Sequence, residues 1–151
     1  MLDKVERADV PSHAIAVSLG EGDWFRYSAC GMDNVYVCGV MAAHFTDLDE
    51  WFKFRNLRLM NQLISEALSN EVDLIGPAQF TFLRKQTGLT LHEFCSLNSI
   101  DLHSVEAWLE GRGFLPDGLR ESVCAMVSDI HANRSTAAQL RDQALNLHQA
   151  A

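Results

Sequence analysis

From Leu57 to Leu68, apolar residues return every three or four positions: Leu57, Met60, Leu63, Ile64, Ala67 and Leu68. That period puts them on one stripe of an amphipathic helix of about three to four turns. Asn56 stands where an N-cap is needed. Residues 69–76 are a polar linker ending at Gly76-Pro77. Pro77 suits a first helical position, where its missing N–H is no loss. A helix is therefore predicted over Pro77–Thr87, with Phe80, Leu83 and Phe82 inward and Gly88 as its stop. Thr90 with Glu93 three residues on is a capping box, and this helix runs to about Leu97. Asn98-Ser99 breaks it, Asp101 caps the next helix through Leu109, and Gly111 ends that one. Pro116 precedes a further helix with Leu119, Val123, Met126 and Val127 on one face. Ala137, Leu140, Ala144 and Leu147 predict a last helix over Arg134–His148, which covers two heptads and is too short for a coiled coil.

Upstream the pattern is different. Trp24–Tyr27 and Val35–Cys38 are aromatic and β-branched runs around the turn-forming segment Cys30–Asn34, which reads as a β-hairpin. Residues 1–23 are a lead-in with one short strand over Ala14–Ser18. Residues 41–55 keep no single period, and Thr46-Asp47-Leu48-Asp49 offers the start of a helical turn before Trp51-Phe52.

The segment 89–111 carries the most informative spacing. Two short helices joined by a tight turn need a small residue where they approach and apolar side chains filling the angle between them. Cys95 is the small residue, and Phe94, Ile100, Val105 and Trp108 are the fill. Leu89, Thr90, Glu93, Ile100, Val105, Trp108 and Gly111 match, in kind and register, the helix-turn-helix of the Cro/repressor-like family, which this stretch resembles. Pro77–Phe80 leading to Phe82–Lys85 is similar to the first helix of MqsA-type antitoxins and their relatives. Tyr27 and Cys30–Val37 resemble a hairpin found in many of them, so the likeness covers about residues 24–127.

The resemblance implies a mainly α (α+β) fold, with a small N-terminal hairpin before a bundle of four to five helices. It divides the chain into a hairpin-and-helix region over 1–76, a helix-turn-helix domain over 77–131 and a C-terminal helix or tail over 132–151. It implies a DNA-binding regulator or antitoxin, acting as a homodimer on a double-stranded operator, with a toxin as a further partner; the cytoplasmic location expected for it follows instead from the lack of a signal or membrane segment. The helix from Asp101 to Glu110 would enter a major groove, with two copies about one helical turn apart. Contacts would come from Thr90, His92, Leu102, His103 and Ser104, and from Arg84, Lys85 and Arg112 toward phosphate. The dimer surface is left open among the hairpin aromatics, Trp51-Phe52, and the last helix through Leu140 and Leu147.

Charge pulls the other way. The net charge is −8. Residues 1–76 hold 12 acids and 6 bases, and residues 77–131 hold 7 and 4. No segment has the basic footprint of a phosphate-binding surface. The family's frequent Gln is Leu91 here, the turn Gly is Ser99, and the Arg before Trp108 is Ala107. Base reading usually uses Arg, Lys, Asn or Gln, and positions 102–107 offer none. The alternative function is a protein-interaction module whose degenerate helix-turn-helix no longer reads DNA.

Composition is near globular averages, with 48% hydrophobic and 21% charged residues. No apolar run approaches a membrane span, and the N-terminus lacks a signal-peptide pattern. The family's paired zinc cysteines are missing: Cys30 and Cys38 stand eight apart, and with His44 they match no standard zinc spacing. No metal or other cofactor is expected. No nucleophile triad, paired-carboxylate signature or phosphate loop stands out. The one conceivable thiol–imidazole pair, His92 with Cys95, places its thiol at a buried crossing. The expectation is that the chain is not an enzyme.

Overall fold

The computed structural model describes residues 2–39, 41–45, 50–54 and 56–150. The fold is a mixed α+β one, with strands at the N-terminal end and six α-helices after them. The chain divides into two compact units, Met1–Ala67 and Leu68–Ala151.

In the first unit, β1 (Leu2–Val5), β2 (Ile15–Ser18), β3 (Trp24–Tyr27) and β4 (Val35–Cys38) form one sheet in the order β1-β3-β4-β2. The expected hairpin is its centre: β3 and β4 are antiparallel, with Phe25 opposite Val37. Around it the structure adds what the hydrophobic pattern does not contain. The lead-in supplies β1, antiparallel to β3. The short strand expected near Ala14 pairs parallel to β4, with Val17 opposite Val37. Val35 and Val37 are fully buried, while Tyr36 between them is not, as the alternation of a strand requires. The guanidinium of Arg7 lies 4.8 Å from the centre of the Trp24 ring.

The stretch that keeps no single period holds a second, two-stranded sheet. It consists of β5 (Met41–Phe45) and β6 (Glu50–Phe54), antiparallel, with His44 opposite Trp51. Thr46–Asp49, where a helical turn is expected to begin, lies outside the described residues. The helix α1 (Leu57–Ser69) follows. Its predicted cap is present, since Asn56 Oδ1 accepts from Leu59 N–H at 3.0 Å. Met60 and Ile64 are fully buried, but Leu57, assigned to the same stripe, is 44% exposed in the first turn.

The second unit begins with a 3-10 turn at Val72–Leu74 and continues through five helices. These are α2 (Pro77–Thr87), α3 (Leu91–Asn98), α4 (Leu102–Leu109), α5 (Leu119–His131) and α6 (Ala137–Ala150). Helix α2 packs on α5, and α3 packs on both α4 and α6. Phe80 of α2 is at the centre, with its ring 5.4 Å from Phe94 of α3 and 5.9 Å from Trp108 of α4, edge to face with both. Phe80, Phe94 and Val105 are fully buried. Trp108 and Ile100 are half-buried, so the angle between α3 and α4 is filled mainly by Phe94, Val105 and a ring from α2.

Polar ties fix the arrangement. Arg120 Nε donates to Ile75 O at 2.7 Å. Asn98 Nδ2 donates to Phe94 O at 2.8 Å and lies 3.5 Å from Met126 Sδ on α5. Arg141 of α6 donates to Gly88 O through Nη2 at 3.2 Å. Gly88 has φ +73, and a Cβ there would lie 2.8 Å from Ala137 Cβ, so both conformation and space demand glycine. On α6, Leu140 and Ala144 are buried, while Leu147, assigned to the same face, is 51% exposed.

Candidate functional site

The site is built on α3 and α4, two eight-residue helices separated by three residues, Ser99–Asp101. Thr90 Oγ1 accepts from Glu93 N–H at 3.1 Å, and Glu93 Oε1 accepts from Thr90 N–H at 2.9 Å. The capping box is thus complete and sets the start of α3. Ser99 ends α3 in the left-handed conformation, φ 54, which a non-glycine residue adopts at some cost. The Asp101 carboxylate opens α4 by accepting from Ser104 N–H at 3.0 Å and from Ser104 Oγ at 2.8 Å, both through Oδ2. Those two bonds hold the exposed Asp101 carboxyl below the usual carboxylate range, the hydroxyl contributing most. Gly111 N–H donates to Trp108 O at 3.0 Å and Arg112 N–H to Ala107 O at 2.8 Å, the paired bonds of a Schellman ending.

The residues expected to contact DNA fall into three groups. Thr90 and His92 are exposed at the start of α3. Along α4, His103 and Ser104 are exposed and Leu102 is half-buried. Ser104 is engaged by Asp101, and His103 Nδ1 lies 3.6 Å from Glu106 Oε1. The cations form the third group. Arg112 is held by Glu110, with Nε to Oε2 at 2.7 Å. Arg84 donates through Nη1 to Leu89 O at 2.6 Å, closing the α2–α3 turn. Lys85 is exposed in the last turn of α2 and has no side-chain hydrogen bond or ion pair with any described residue.

The wider charge pattern is acidic. Over residues 68–151 there are ten Asp and Glu against six Lys and Arg. All five arginines of that stretch bond to groups of their own unit, Arg134 to Asp129 and Arg120 and Arg141 to backbone carbonyls.

The periodicity of the chain does not reveal a groove beside α4. A groove of about 530 Å³ runs between one side of α4 and the segment Gly113–Asp117. Ile100, Asp101, Ser104 and Ala107 form one wall. A Cβ on Gly113 would lie 3.1 Å from Ala107 Cβ, so the returning chain passes close against the helix. Phe114, in the other wall, is 97% exposed. The available signal was an aromatic residue outside any periodic segment, set between Gly113 and Pro116.

Burial acts on three of the four thiols. Cys95 is buried at the α3 crossing and its thiol is pushed up to about 11, by burial first and by Asp101 and Glu106 next. Burial also raises Cys30 and Cys124. Among the described residues, no group of three or more His, Cys, Asp or Glu is placed to hold a metal ion. Nor is any helix among them long and apolar enough to cross a membrane. Comparison of the chain with known protein families, with curated proteins and with solved structures found no match.

Proposed function

We propose that residues 68–151 are a protein-binding module on a helix-turn-helix scaffold that has lost the reading of duplex DNA. One observation carries this reading: all five arginines of the unit are committed inside it, leaving Lys85 as the one cation without a side-chain partner among the described residues, while Glu106 lies on α4 and Glu110 at its end. Affinity for DNA comes largely from the number of phosphates neutralised, and carboxylates on the helix facing the groove oppose every one. The base-reading positions support the same conclusion, since Leu102, His103, Glu106 and Ala107 include none of the usual bidentate readers of guanine or adenine. The four free cysteines fit a reducing, cytoplasmic setting. We propose no catalytic role.

The test is a selection of random duplexes by the full chain. The module reading expects no enriched sequence, and non-specific binding no tighter than about 10⁻⁴ M at physiological salt, the weak end of the usual range. A two-fold symmetric site bound at submicromolar concentration would overturn it. It would establish the second reading, a dimeric DNA-binding regulator. That reading is favoured by Lys85, Thr90 and His92, which are exposed around the α2–α3 turn, where backbone phosphates would be met.

A further inference from the structure

We propose that the groove between α4 and Gly113–Asp117 docks a cationic segment of a partner protein, with an apolar side chain of that segment seated against Phe114. This rests on the protein-binding reading above and specifies the partner's chemistry. An aromatic side chain carries roughly 150–250 Å² of surface, and Phe114 leaves nearly all of its own in water. An exposed aromatic beside a concave surface has the anatomy of an interface anchor, where a few residues dominate affinity.

The walls are already in place. The Schellman ending fixes where the chain turns back, Gly113 is wedged against Ala107, and Pro116 stiffens the far end. A site formed before binding spends less entropy on ordering itself.

Charge decides the occupant. None of the residues lining the groove is cationic, and Asp101 and Asp117 are among them. Asp101 Oδ2 takes both Ser104 bonds, and Oδ1 takes neither. Glu106 extends the same sign along α4, while Glu110 at its end is paired with Arg112 and neutralises it. A second copy seated here about a two-fold axis would bring these carboxylates against their own images, and like charges across an interface are costly. A nucleic acid meets the same repulsion. A segment bearing Lys or Arg beside one aliphatic or aromatic residue satisfies the two aspartates and Phe114 together.

The experiment is selection of a displayed random-peptide library on the full chain. Enriched peptides are then synthesised, labelled and titrated by fluorescence anisotropy. Lys- or Arg-containing peptides with an apolar anchor are expected. Phe114→Ala should weaken them at least about tenfold, the scale of an interface anchor, and Asp117→Lys should weaken them and flatten their salt dependence. Phe114 is exposed, so an unchanged melting temperature shows that the variant remains folded. Peptides lacking basic residues, or bound equally by Phe114→Ala, would overturn the groove assignment while leaving a protein-binding module intact. So would a dimer that Phe114→Ala converts to monomer. No enrichment at all also overturns it, and the duplex selection then decides separately whether the protein-binding reading falls with it.

Discussion

Phe80 is the side chain on which the second unit's packing converges. It is fully buried and meets both Phe94 and Trp108 edge to face. Truncating a buried Phe to Ala costs roughly 3–5 kcal/mol. Phe80→Ala should fall in that range and exceed the cost of Trp108→Ala, because Trp108 is half-buried and forfeits less. Urea denaturation of the two variants checks the order. Cys95 gives a pH signature. Its thiol is held near 11 in the fold and titrates at about 8.5 in an unfolded chain. Its stabilising contribution is therefore complete below about pH 8.5. It declines as pH rises toward 11, where the unfolded chain releases the proton and the folded one keeps it. Cys95→Ala should lessen the alkaline loss of stability, read as the urea midpoint against pH, and should leave the neutral-to-acid side of the curve unchanged in shape.

Among the elements, the helices of 77–131 were legible because their signals are local. Pro77, Thr90 with Glu93, Asp101 and Gly111 all stand where the caps form, and the apolar period between them did the rest. Asp101→Ala should lower the urea midpoint, because it removes the N-cap that opens α4. Gly88→Ala should cost more, about 2–4 kcal/mol, combining the left-handed conformation with the clash at Ala137. Hydrogen exchange should then rise first in α6, whose Arg141 bonds the Gly88 carbonyl. The sheet was less legible. Four residues such as Leu2–Val5 carry too little alternation to announce a strand. The parallel pairing of β2 with β4 is a non-local choice that no window on the chain contains. The same holds for Phe114: periodicity assigns a face only within a regular element, and this residue follows one.

At the scale of the whole molecule, charge separates scaffold from function. The α3–turn–α4 spacing and its caps could be read from the residues alone, but the Phe80 ring that completes the fill from α2 could not. The commitment of the arginines could not either, because Arg84, Arg120 and Arg141 find carbonyls that only the folded chain brings to them. We propose that α3 and α4 keep the spacing of a DNA-binding motif on a surface whose charge does not suit DNA. Glu106→Lys with Glu110→Lys reverses the sign of α4 and releases Arg112 from its carboxylate. The direct measurement is a titration of a random-sequence duplex with the wild-type chain and with this double variant, each across a series of salt concentrations. The expected result is wild-type binding no tighter than about 10⁻⁴ M at physiological salt, and tighter binding by the variant that falls linearly with log salt at a slope of about −0.9 per phosphate engaged. Wild-type binding as tight as the variant's, or a variant that gains no affinity, would contradict it.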